Sequence, residues 1–242
     1  MLPALPFKHL AFHSVEGLRV LSVVRSLIHR NAANAISLLG LLPLCILFGE
    51  GGGKFLIPLL IYNNIMDDLD GVLAVKMNCK SDFGTILDNV CDAIAHTIFT
   101  MAVGLQLGGL CSTISLAAVG AIVLRVVSRL HPSALVGMGS PTNELMRHML
   151  FVVLLARIYG FVTAPVLSAV FLLHSVSMLA PFPMPYLIRS LTKSATGICM
   201  VNISLVLAWL APIATPVIAS CFVVTYLSSL VVGGVRWWKE RS

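Results

Sequence analysis

Six of the ten acidic residues of this 242-residue chain, Asp67, Asp68, Asp70, Asp82, Asp88 and Asp92, fall between positions 67 and 92. They are set in long apolar sequence. A carboxylate near the centre of a membrane helix costs roughly 2.5–3.5 kcal/mol on insertion scales, so such acids mark a functional site by default. Asp67 and Asp70 are spaced i,i+3 and Asp88 and Asp92 i,i+4, which puts each pair on one face of its helix. A polar turn, Asn78-Cys79-Lys80-Ser81, separates the pairs. Positions 70 and 88 are symmetric about residue 79, and positions 67 and 92 about the bond that follows it. An antiparallel hairpin folded there sets Asp70 level with Asp88, and Asp67 level with Asp92. At 1.5 Å per residue the acids lie roughly 14–18 Å from the turn. That depth suits a water-soluble headgroup meeting a lipid.

Four unpaired carboxylates so placed could not all ionise, and neither helix carries a Lys or Arg at their depth. Divalent cations satisfy both the charge and the oxygen-only ligand set. Mg²⁺ or Mn²⁺ suits carboxylates shared with a substrate phosphate, and two ions would clamp the attacking and leaving oxygens of a phosphoryl displacement. Gly71, Ala74 and Gly84 lie beside the acids and leave a slot for a flat base or a diphosphate. Small residues also serve plain helix packing; beside four acids the slot is the better reading. Asn63 and Asn64 suit hydrogen bonds to the ligands rather than ligation. Asp68 points off the Asp67/Asp70 face, which leaves it supporting the ligands from behind or solvated, and Asp82 is placed to cap the next helix.

The elements that position these residues must be membrane helices. The chain is 58% hydrophobic and 11% charged, with a mean hydropathy of +0.96. A soluble domain of this length needs more polar surface. Continuous apolar runs at about 32–49, 54–77, 83–107, 109–128, 143–162, 163–181, 194–212 and 213–235 predict an all-α, polytopic membrane bundle of about eight transmembrane helices. The break near Tyr159–Pro165 decides the count. With both termini cytosolic, only Lys54 and Arg157 of the 16 Lys and Arg fall outside, as the positive-inside rule requires. The net charge of +6 then reflects attraction to anionic headgroups, not to nucleic acid. Residues 8–29 carry apolar side chains at helical spacing opposite Arg and His, which fits an amphipathic helix on the cytosolic leaflet or one packed beside it. The organisation expected is a cytosolic segment at 1–31 followed by one transmembrane domain at 32–242. Six scattered cysteines without a CxxC read as reduced packing residues.

The stretch DDLDGVLAVKMNCKSDFGTILDNVCD, residues 67–92, resembles the signature of the CDP-alcohol phosphatidyltransferases, D-x2-D-G-x2-A-R-x8-G-x3-D-x3-D. Every position matches except one: Val75 stands where the family has Arg, with Lys76 beside it. Asn34-Ala-Ile-Ser37 is similar to an Asn-x-x-Thr/Ser element of the same family. The resemblance implies two divalent metals, Mg²⁺ or Mn²⁺, on Asp67, Asp70, Asp88 and Asp92. It implies a cytidine diphosphate donor held by Asn34, Ser37, Gly71, Ala74, Ser81, Gly84 and the position of Val75. It also implies Asp92 as general base on the acceptor alcohol, release of CMP, and a homodimer. Loss of the Arg should weaken donor binding, so Val75→Arg is expected to improve it.

Eight spans favour the phosphatidylserine synthase branch of that family, with CDP-diacylglycerol as donor, serine as acceptor and the cell (inner) membrane as location. Glycerol phosphate, inositol phosphate and choline remain alternatives. His96, one turn beyond Asp92, is placed to touch Asp92 or the acceptor, or to be a buried structural histidine. Arg125, Arg129 and Arg147 could bind a carboxylate or phosphate of the acceptor, or simply anchor the cytosolic ends of their helices. The rival classes are an ion transporter, which the absence of repeats disfavours, and a degenerate homologue without activity, which Val75 motivates.

Overall fold

The computed structural model describes residues 31–131, 137–185 and 194–242, and among these every regular element is helical. The amphipathic segment at 8–29 lies outside them. Residues 31–41 form α1, which tightens into a 3₁₀ stretch at Leu42–Phe48 with a proline in its first turn. The left-handed Gly51 leads into a second 3₁₀ turn, Gly52–Phe55. Then follow α2 (Leu56–Lys76) and α3 (Asp82–Leu107), α4 (Gly109–Leu130) and α5 (Thr142–Tyr159). The chain ends with α6 (Thr163–Met178), α7 (Ala195–Leu210) and α8 (Thr215–Lys239).

Each boundary has a local cause. At the end of α2, Met77 N–H bonds Leu73 O, and Cys79 N–H bonds Ala74 O at 3.0 Å across Asn78, which adopts a positive φ of 49°. Asparagine tolerates that conformation better than most residues. Ser81, not Asp82, is the N-cap of α3, accepting from Gly84 N–H at 3.0 Å. Gly108 and Gly109 both have positive φ and reverse the chain between α3 and α4. Gly104 meets the Ser115 side chain of α4 so closely that a Cβ could not be accommodated. The expected break near 159–165 is real: left-handed Gly160 stops α5, and α6 begins three residues later.

Among these elements α3 packs on α4, α4 on α6, and α5 on both α6 and α8, while α2 contacts α3, α5 and α7. The core holds Phe99, Leu145, Met149, Phe151, Leu167 and Phe171. Polar residues are buried with them, including Glu144, His148 and His174, while Leu110, Val162 and Val217 face outward and Ile213 is 91% exposed. Apolar outside and polar within is the pattern of a bundle whose solvent is lipid. Among the described residues four spans are long and apolar enough to cross a membrane: Asn31–Phe48, α3, α4 and α8. The helices α6 and α7 are apolar but shorter. In α2 and α5 charged residues interrupt the apolar run. Of the eight transmembrane spans expected, four are clear apolar spans among the described residues, which form eight α-helices.

Candidate active site

The α2–α3 hairpin brings the acids together. Carboxylate oxygens of Asp67, Asp70 and Asp88 all lie within 4.8 Å of one another. Asp92 closes the group from α3, its carboxyl within hydrogen-bonding contact of that of Asp67. Asp70, only 5% exposed, also accepts a hydrogen bond from Ser37 Oγ of α1. The first helix is thus tied to the hairpin at the acid itself.

A cavity of about 220 Å³ opens beside Asp70 and Asp88. Its walls include Asn34 and Ser37 from α1, Gly71 and Ala74 from α2, and Ser81, Gly84 and Thr85 from the start of α3. The glycines differ in what they do. A Cβ on Gly71 would meet nothing within 4 Å, so packing does not require glycine there. A Cβ on Gly84 would stand 3.0 Å from Asn34 Oδ1 and 3.1 Å from Ser81 Oγ, both cavity walls. The slot is therefore a space with polar walls. Val75 does not line it and is 59% exposed. Lys80 does line it.

Polar partners from other helices surround the acids. Asn143, near the start of α5, donates to Asp67 Oδ2 at 2.6 Å. Asp68 accepts from Asn64 at 3.1 Å and from Asn202 of α7 at 2.7 Å, so it is held by amides rather than solvated. Asn64 in turn accepts from Arg147 Nε at 3.1 Å, and Arg147 forms a buried ion pair with Glu144 at 2.9 Å. Arg129 reaches across from α4 to Asn89 at 2.9 Å and acts electrostatically on Asp88 and Asp92. Arg125 is buried against the carbonyls of Gly139 and Ser140. His96, 2% exposed, pairs through Nδ1 with Thr142 Oγ1 at 2.8 Å.

Several of these partners escaped the sequence reading, among them Asn143, Asn202 and Asn89. Asn143 carries a faint signal, because Thr142-Asn143-Glu144 is a polar start to an apolar helix. Asn202 reads from sequence only as a glycosylation acceptor, Asn-Ile-Ser, set aside because it lies in a span. Asn89 has no signal beyond following Asp88.

The donor set suits a hard cation. Oxygen ligands of one Mg²⁺ lie about 2.1 Å from it, so two of them stand at most about 4.2 Å apart. A spread of 4.8 Å closes to that with small side-chain rotations, or is shared between two ions.

The sequence profile described as CDP-alcohol phosphatidyltransferase matches residues 30–239. A comparison with curated proteins found no match. With most of its length matched, the chain belongs to the CDP-alcohol phosphatidyltransferase family, which transfers a phosphatidyl group to an alcohol in phospholipid biosynthesis and generally uses a divalent metal.

Proposed function

We propose that this family member transfers the phosphatidyl group of CDP-diacylglycerol to a small alcohol, with serine the acceptor favoured by the helix count, and releases CMP. One observation carries the reading: the cavity walled by Asn34, Ser37, Gly71, Ala74, Ser81 and Gly84 opens onto Asp70 and Asp88, while Asp67 and Asp92 meet beside them. The cavity takes the cytidine diphosphate. The α4–α5 side, where Arg129 acts electrostatically on Asp88 and Asp92 and Asn143 bonds Asp67, takes the acceptor.

Asp67, Asp70, Asp88 and Asp92 would hold divalent cations, Mg²⁺ or Mn²⁺, two per site. When bound, these supply neutralisation of the carboxylates and of the charge left on CMP. Asp92 takes the proton from the acceptor hydroxyl. The oxygen so freed forms a bond to the phosphorus that carries the diacylglycerol, and the bridging P–O bond to CMP breaks in line. A general base in this position is worth about 10²–10⁴ in rate. Asn143 fixes the Asp67 carboxylate, and the wall residues align the donor, so orientation supplies a further share. Of the acceptor candidates, Arg129 is the cation beside Asp88 and Asp92, and it would meet a carboxylate or phosphate on the acceptor. Arg125 and Arg147 already have internal partners.

The reading places both termini on the cytosolic face of the cell membrane and the protein in a homodimer. It is tested with purified protein in vesicles, Mg²⁺ or Mn²⁺, CDP-diacylglycerol and a panel of serine, glycerol phosphate, inositol phosphate and choline. CMP release with one acceptor supports it. No CMP with any of them sinks it.

A further inference from the structure

Among the described residues the donor cavity has two acids in its wall, Asp70 and Asp88, and one basic residue, Lys80. Its other polar lining is neutral: Asn34, Ser37, Ser81 and Thr85. A nucleoside diphosphate entering there brings its own negative charge to a wall that already carries two carboxylates. Cations held by the acids would answer the charge at the inner end. At the outer end the compensation must come from the protein.

Among the described residues no arginine lines the cavity: Arg129 lies on the acceptor side with Asn89, Arg147 bonds Glu144 and Asn64, and Arg125 bonds two backbone carbonyls. Val75 and Lys76 are exposed and neither lines the cavity. Lys80 is different. Among the described residues it makes no hydrogen bond or ion pair, and it stands directly before Ser81, whose hydroxyl caps α3 in the same wall. The turn fixes its backbone through Asn78 and the Cys79 N–H bond to Ala74 O, while its flexible stem leaves three ammonium donors free to follow a phosphate.

We propose that Lys80 is the cation that binds the diphosphate of the CDP-linked donor at the exposed rim of the cavity. Its role thus depends on position in the turn, not on the helical position occupied by Val75. The ligand's identity rests on the transfer reading above, so the test uses binding rather than turnover. Isothermal titration of CDP and of CMP into purified protein with Mn²⁺ is compared for wild type, Lys80→Ala, Lys80→Arg and Lys76→Ala. Loss of a charge-assisted contact to phosphate should weaken CDP binding about tenfold or more in Lys80→Ala. CMP, with one phosphate fewer, should lose less, and Lys80→Arg should keep most of the affinity. Unchanged Mn²⁺ affinity without nucleotide would show that the hairpin is intact in the variant.

CDP binding within about twofold of wild type in Lys80→Ala overturns the assignment, as does a larger loss in Lys76→Ala. Lys80-dependent CDP binding without CMP release from any alcohol leaves the inference standing and removes the transfer reading. Turnover with Lys80-independent CDP binding does the reverse. Wild-type protein that binds no CDP removes both.

Discussion

Asn143 donates its amide hydrogen to Asp67 Oδ2 at 2.6 Å, linking α5 to the acidic hairpin across 76 residues of sequence. Asp67 also meets Asp92, so a single amide orients the carboxylate that touches the proposed base. Asn143→Ala should lower kcat about tenfold while changing the donor KM little, since the amide is outside the donor cavity and one such bond to a charged group contributes about 1.5–3 kcal/mol. Asn143→Asp should be worse than Ala, because it adds a further carboxylate beside Asp67. Steady-state kinetics of CMP release separates the two. Equal activity of all three proteins would show that Asp67 needs no orienting partner.

The base assignment separates Asp92 from Asp70. Asp92→Asn should lower kcat by about 10²–10⁴ and keep CDP binding, since Asp92 does not line the donor cavity. Asp70→Asn, by contrast, alters both a cavity wall and the three-carboxylate cluster, so Mn²⁺ and CDP should both bind more weakly. Titration of Mn²⁺ and CDP beside the kinetics tests this. Loss of CDP binding in Asp92→Asn, or retained Mn²⁺ affinity in Asp70→Asn, would reverse the roles.

The glycines make opposite predictions about stability. Gly71→Ala places its methyl where nothing stands within 4 Å, so melting temperature should hold, and helix propensity alone favours Ala by about 1 kcal/mol. The donor KM should nevertheless rise, because the methyl enters the cavity. Gly84→Ala pushes against Asn34 and Ser81 and should lose both thermal stability and donor affinity. Thermal melts set against donor KM would show the split. A parallel fall of both quantities in Gly71→Ala would return that residue to packing.

Much of this arrangement is readable from spacing. The i,i+3 and i,i+4 pairs and the turn at 79 determine which faces of α2 and α3 meet, because helix geometry and a tight reversal leave little freedom. The cavity wall from α1 was readable only through family resemblance, since nothing in the spacing of Asn34 and Ser37 says which helix they face. Asn143, Asn202 and Arg129 come from elements 50 or more residues downstream of Asp67. Their approach depends on how α4, α5 and α7 pack, which one amphipathic pattern does not encode. The number of helices came from apolar run length, but α2 and α5 carry charges that length alone does not explain. The fold explains them: Glu144 pairs with Arg147, and Arg147 bonds the amide that holds Asp68.

That last chain of contacts carries its own prediction. Glu144 and Arg147 are almost fully buried, and removing one partner of a buried pair strands the other charge, at a cost of about 3–5 kcal/mol. Glu144→Ala should therefore lower thermal stability more than Glu144→Gln, which keeps an acceptor for the guanidinium. The damage should also reach the site, because Arg147 is bonded to Asn64, and Asn64 to both Asp68 and Asn202. An Arg147 that swings free no longer fixes Asn64, and the α2–α7 contact loosens beside the acids. The double variant Glu144→Leu with Arg147→Met removes both charges together and should recover stability relative to Glu144→Ala. It should not recover full activity, since Asn64 remains without its donor. Melting temperature and kcat on the same preparations give the readout. Recovery of both would mean that the ion pair serves stability alone, and that Asn64 needs no help from Arg147 to hold Asp68.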